Sequence, residues 1–387
     1  MKKTSMYLRH ALALGLTGLF TSLYAGGPAT AGDPTALGDT REPGGTVRIA
    51  LLLDTSNSMD GLINQAKAQL WDIVNQFTRA RCGDDRRPGL QIALYQYGND
   101  GLPAHEGYIQ QVIGFTSDLD ELSEKLFSLS TNGGEEFCGQ VIQTSLGQLD
   151  WGHRSQDLKM IFIAGNEPFT QGRLDYRNAV DNAREKDVIV NTIFCGGYTE
   201  GINGRWKDGA DRGGGEYMAI DHNRQVVHIV TPYDDLILQL NTRLNGTYIS
   251  YGSRGAGKQR QQAAQDANAM ELEPAVAVER TVSKSSALYS NPSWDLVDAA
   301  AQPGFKLSGI DKEQLPSELR NKSEKEIRAY IASKKEEREA LNREIHSLQA
   351  KRETFLAREQ ASAQGELESA MIRAIKKQAE EKDYHWE

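Results

Sequence analysis

Residues 47–58 read Val47-Arg48-Ile49-Ala50-Leu51-Leu52-Leu53-Asp54-Thr55-Ser56-Asn57-Ser58, and the break at Asp54 decides how the chain is read. An aliphatic run of this length, ending abruptly in small polar residues, predicts a buried parallel strand that opens onto a loop. Met59 to Ala80 then carries Leu62, Ile63, Ala66, Leu70, Ile73, Val74 and Phe77 at three- and four-residue intervals, the pattern of an amphipathic helix. In an open α/β sheet, ligands bind beyond the carboxyl ends of the strands, so Asp54, Ser56 and Ser58 are placed for chemistry. Three hard oxygen donors in one turn suit Mg²⁺ or Mn²⁺. A helix cap would need only one of them.

Working outward, alternating apolar and amphipathic segments follow. Leu90 to Tyr97 and Tyr108 to Phe115 read as a strand pair around the turn Gly98-Asn99-Asp100-Gly101. Asp118 to Leu129 and Phe137 to Leu149 read as helices, with the loop Ser130-Thr131-Asn132-Gly133-Gly134-Glu135-Glu136 between them. Leu158 to Ala164, Val188 to Phe194 and Val226 to Val230 read as further strands, Tyr176 to Lys186 and Pro232 to Leu244 as helices. This order predicts an α/β fold with a doubly wound, mostly parallel sheet of about six strands.

These residues resemble a von Willebrand factor type A domain, whose metal-ion-dependent adhesion site begins with Asp-x-Ser-x-Ser after its first strand. The resemblance spans residues 45–250 and implies a metal at the upper edge of the sheet, bridging to an Asp or Glu of a protein partner. It implies further ligands from two more loops: Thr131, with Glu135 as its rival because some members carry Gly-Gly-acidic here, and an acidic residue after the fourth strand. This chain has Asn166 at that third position, in Ile163-Ala164-Gly165-Asn166-Glu167, so a neutral amide stands where a carboxylate is expected and Glu167 is placed to compensate. The resemblance therefore leaves open a metal-free scaffold.

The remaining sequence bounds the function. A net charge of −9 argues against a nucleic-acid partner. The seven histidines are scattered, and neither a His-Glu-x-x-His nor a nucleophile-elbow sequence is present, which disfavours a metal-dependent hydrolase and favours a binding module that is not an enzyme. Met1-Lys2-Lys3, Arg9 and the apolar run from Ala11 to Ala25 read as a signal peptide over residues 1–31, hence a periplasmic or secreted protein. Of the three cysteines, Cys138 and Cys195 are expected at the metal-bearing rim and to form a disulfide, with Cys82 at the opposite rim. Trp206, Asp208, Asp211 and Gly213-Gly214-Gly215 read as a loop near the metal-bearing rim.

Residues 251–322 show no sustained periodicity and read as a linker or irregular strap. Residues 323–384 are dense in Glu, Lys, Arg, Ala and Leu and open with a Ser323–Glu326 capping box, predicting a long charged helix or helical hairpin. Leu341, Ile345, Leu348 and Phe355 approach a coiled-coil spacing, which would allow a helix-mediated oligomer. Charged residues at Lys334, Arg338 and Arg352 interrupt it and point to a solvated helix.

Overall fold

A computed structural model describes residues 44–83, 85–221, 223, 229–359 and 366–386. The signal peptide expected over 1–31 and most of the strand expected over 226–230 lie outside these residues.

The chain opens with β1 (Thr46–Asp54) and α1 (Asp60–Thr78), then the short β2 (Ala80–Cys82), β3 (Gly89–Tyr97) and β4 (Ile109–Thr116). Next come α2 (Leu119–Phe127), α3 (Cys138–Gln148), β5 (Leu158–Gly165), α4 (Tyr176–Glu185) and β6 (Ile189–Cys195), followed by α5 (Tyr198–Asn203), α6 (Trp206–Gly213) and β7 (Gly214–Ile220). The sheet order is β4-β3-β1-β5-β6-β7, with every neighbouring pair parallel except β3 and β4. β1 is therefore central, flanked by parallel strands on both sides and buried on both faces.

Alternation along β1 divides the core. Ile49, Leu51 and Leu53 pack with Leu62, Ile63, Leu70, Trp71 and Phe77 of α1 on one face, while Ala50 and Leu52 pack with Tyr95, Tyr97, Val141, Ile142 and Trp206 on the other. Burying each of these large side chains contributes about 1.5–3 kcal/mol, so a one-residue slip of β1 would exchange two complete packing sets.

Two expectations are corrected. The stretch read as a glycine loop opens a strand, Gly214–Ile220, which is the sixth of the sheet. Gly215 is needed because a Cβ there would lie 2.1 Å from the Val190 carbonyl, and Gly214 because its backbone is left-handed at φ +69°. Trp206 opens a helix and is fully buried, its Nε1–H donating to the Glu167 carbonyl at 2.8 Å.

Residues 251–322 form neither a linker nor a strap. After α7 (Asp234–Asn245), the chain builds α8 (Gly255–Leu272), α9 (Pro274–Lys284), α10 (Leu296–Ala300) and α11 (Ser317–Arg320). All residues of α9 from Ala275 to Lys284 are buried, which is why it lacks a polar face and an amphipathic rhythm. Its charges are paired internally. Arg280 lies 2.7 Å from both Asp120 and Asp266 and stacks over Trp71, while Lys284 reaches Asp266 at 2.7 Å and Asn241 at 2.9 Å.

The C-terminal region comprises α12 (Glu324–Glu359), α13 (Glu366–Glu380) and the short β8 (Tyr384–Trp386). Neither helix is solvated all round. α12 lies against α7, α9 and α10, and α13 against α1 and β7. Arg338 and Arg352, whose charges suggested exposure, are buried anchors. Arg338 pairs with Asp295 and Asp298, each at 2.8 Å, donates to the Thr247 carbonyl at 3.0 Å and covers the Tyr248 ring; Arg352 pairs with Asp234 at 2.9 Å and with Glu279. Met371, Ala374, Ile375 and Ala379 of α13 join the core, Gln378 and Asn191 exchange amide hydrogen bonds of 2.6 and 3.1 Å, and β8 pairs antiparallel with β2. The sheet domain is thus completed by residues far beyond 250.

Removing one member of a buried ion pair strands the other. Arg338→Met should therefore lower unfolding stability by about 3 kcal/mol in urea titration. A loss under about 1 kcal/mol would show that Arg338 does not anchor α12.

Candidate functional site

The site is assembled where β1, β5 and the loop between α2 and α3 meet at the carboxyl edge of the sheet. Asp54 ends β1 in register with Tyr97 of β3, and it is fully buried. Its Oδ1 accepts the Ser56 N–H at 2.7 Å, which shapes the turn, while Oδ2 is buried with no hydrogen-bond partner. The hydroxyl of Ser56 is likewise buried and unpartnered. From the end of β5, Asn166 donates through Nδ2 to Ser58 Oγ at 3.0 Å and leaves its Oδ1 buried and unpartnered.

Glu136 supplies the fourth such oxygen. Its side chain is buried, Oε2 has no partner, and its backbone N–H donates to Gln171 Oε1 at 3.0 Å. Glycine makes the approach of the two acids possible: a Cβ on Gly98, which has φ +75°, would lie 2.6 Å from Glu136 Cγ and 2.8 Å from Asp54 Oδ1. A Cβ on Gly165 would lie 2.6 Å from the Tyr97 hydroxyl and 3.2 Å from Asp54 Oδ2.

Burial moves both acids, and the charge of Asp54 moves Glu136 further. Burial raises Asp54 to about 6. Burial first, and the Asp54 charge second, raise Glu136 to about 9. Unpaired buried oxygens of this kind cost about 1–3 kcal/mol each, and a hard cation satisfies them together. Two carboxylates are too few for an all-acidic cage, and among the described residues no group of three or more His, Cys, Asp or Glu converges. Here hydroxyls and an amide complete the donor set, so the residues fit an ion such as Mg²⁺ that keeps several waters.

The expected site residues are partly brought together. Asp54, Ser56 and Asn166 converge, with Ser58 tied to Asn166. Thr131 stands at the edge, its hydroxyl donating to Asp60. Glu135 is exposed, as is Glu167, so the second buried carboxylate comes from Glu136 instead. Reading the loop by its Gly-Gly-acidic spacing stopped one residue short; the apolar Phe137 and Cys138 that follow were the available sign that the chain turns inward at Glu136.

The expected Cys138–Cys195 disulfide is absent: all three cysteines are free and buried. Cys138 packs on the sheet face that carries Tyr97, whose hydroxyl is 3.9 Å from its Sγ, whereas Cys195 packs on the face that carries Leu53 and Met218. The sheet itself separates them.

Residues 49–211 match the family model of the von Willebrand factor type A domain. Solved structures similar to the chain include proximal thread matrix protein 1 from the mussel byssus, with a zinc-occupied MIDAS motif, at 15% identity and TM-score 0.36, covering 46% of this chain and 43% of that one. The chain thus spans less than half the length of that protein. BatB from Bacteroides thetaiotaomicron matches at 17% identity and TM-score 0.35, over 45% of this chain and 90% of that one; the SpRpn10 type A domain matches at 16% and 0.35, over 50% and 95%. No curated protein matches. The type A family is often metal-dependent and engaged in protein interaction, and the described residues include no helix long and apolar enough to cross a membrane.

Because both acids are held above their ordinary values, the metal-free folded state binds protons more tightly than the unfolded chain. That stability is present below about pH 4 and is lost as pH rises toward 9. Glu136→Gln should therefore raise the metal-free stability at pH 8 by about 1–2 kcal/mol and have little effect at pH 4. Thermal melts in chelator across this range check it; a pH-independent difference would remove Glu136 from the pair.

Proposed function

We propose that this chain is a metal-dependent protein-binding module whose type A domain holds Mg²⁺ or Mn²⁺ and engages a carboxylate of a protein partner. The observation that carries this reading is a group of four buried oxygens at the carboxyl edge of a parallel sheet: those of Asp54, Ser56 and Glu136 lie within reach of one another and, with Asn166 Oδ1 at the end of β5, have no donor outside the group. A bound divalent ion supplies positive charge that lets both acids ionise and that attracts an incoming carboxylate. Ser58 orients the Asn166 amide, and Gly98 and Gly165 keep the pocket open to the two acids. The positive and then apolar N-terminal sequence supports a periplasmic or secreted location.

A metal-free scaffold is the alternative, favoured by Asn166 in place of an acid. Calorimetric titration with Mg²⁺ and Mn²⁺ separates the two. Wild type should bind and Asp54→Ala should not, with its circular dichroism unchanged. Asn166→Asp should tighten the metal about tenfold by adding a charge beside the ion. Absence of binding by wild type would leave the scaffold reading.

A further inference from the structure

Two carboxylates come close to neutralising a divalent ion, so attraction between that ion and a single partner carboxylate is modest, and the partner must gain affinity from what surrounds the ion. The ground beside the site is unusual in its chemistry. Leu174, Tyr198 and Ile202 are exposed to 36%, 57% and 37%, and all three lie on connections that leave the carboxyl ends of β5 and β6. Two guanidinium groups, Arg173 and Arg205, are interleaved with them and exposed.

Neighbouring bases are neutralised locally: Arg177 by Asp175 and Asp208, Lys207 by Asp211 at 2.6 Å, and Arg212 by Asp181 at 2.5 Å. Among the described residues, Arg173 and Arg205 have no carboxylate within ion-pair distance. Arg205 is also held at φ +73°, a left-handed backbone that side chains with a Cβ disfavour. The neighbours enforce it: the Gly204 carbonyl accepts the Phe169 N–H at 2.8 Å, and Trp206 is locked in the core.

The two connections form one surface continuous with the ion site. A Cβ on Gly165 would lie 3.2 Å from both the Trp206 ring and Asp54 Oδ2, so the residue following Arg205 packs against the floor of the site. Phe169 packs against both the Tyr176 ring, with centroids 5.2 Å apart, and the Trp206 ring, at 4.9 Å, and the Tyr176 hydroxyl donates to Asp208, so the segment carrying Arg173 and Leu174 runs beside the one carrying Arg205.

We propose that this surface is a second subsite for an extended acidic segment of the partner. One carboxylate of that segment meets the ion, a second meets Arg173 and Arg205, and an apolar side chain beside them rests on Leu174 and Ile202. The inference rests on the metal-site reading and adds the partner's chemistry: acidic and apolar residues on one side of the anchoring carboxylate. Arg173 and Arg205, which no acid engages among the described residues although Glu167 and Glu200 are exposed on the same connections, favour this occupant over a basic or wholly apolar one.

The test uses the full chain and an array of short peptides built around one Asp, with flanking positions varied among Ala, Leu, Glu, Lys and phosphoserine, in millimolar Mg²⁺ and in chelator. Wild type should select Leu and Glu on one side of the Asp in Mg²⁺ only. Arg173→Glu, and Arg205→Asn, which removes the charge but tolerates the left-handed backbone, should each lose about tenfold of that selection while binding Mg²⁺ as wild type does by calorimetry. Variants that select as wild type does, a preference for Lys, or a preference for phosphoserine over Glu would overturn the subsite and leave the metal reading standing. A wild type that binds no Mg²⁺ would overturn both.

Discussion

Two buried carboxyl groups facing each other at the carboxyl edge of the sheet impose the constraint on which this structure turns. Asp54 and Glu136 come from segments more than eighty residues apart and are brought together by the paired register of β1 and β3 and by a glycine at position 98. Like charges buried side by side are not tolerated without a proton or a cation between them. The arrangement is stable only because the surrounding sheet over-determines it, with β1 buried on both faces and held by parallel neighbours. That division of labour, a rigid strand carrying an acid that destabilises its own surroundings, is typical of a binding site.

A second theme is that the helices outside the sheet are joined to it by charge as much as by apolar contact. Arg280, Lys284, Arg338 and Arg352 are all buried and all paired with acids. Such pairs give little net stability over an apolar equivalent, but any shift in register strands a charge in the interior. The accessory helices are thus held in one alignment more firmly than their small apolar seams would require.

The sheet was legible because a strand buried on both faces writes itself as Leu51-Leu52-Leu53, and α1 because its large apolar residues recur at three- and four-residue intervals, although only Asp60 and Asn64 of the whole helix are exposed. The turn from Asp54 to Ser58 was legible for the same reason, at the point where apolar residues stop. Elements that break these rules were hidden. β7 begins with two glycines, one set by a left-handed backbone and the other by close packing against Val190, and together they read as loop. α9 is buried on every side and includes charged residues, so no period distinguishes it from an irregular segment. Arg338 and Arg352 looked like solvent-facing interruptions, because their acidic partners lie between 40 and 118 residues away. Glu136 was missed because two adjacent acids, one exposed and one buried, are indistinguishable until the backbone direction of the loop is known.

The position of α13 and β8 has a consequence for how the chain reaches this state. Residues 366–386 cover part of α1 and β7, and they donate a strand to β2 directly after α1. The earliest and latest parts of the described chain are therefore neighbours, with some three hundred residues between β2 and its partner. Closing so long a loop is entropically slow, and apolar surface on α1 stays uncovered until it happens. During synthesis at the ribosome, the first helix waits for the last one, and a nascent chain halted before residue 366 would carry a finished Asp54–Ser58 turn on an unfinished fold.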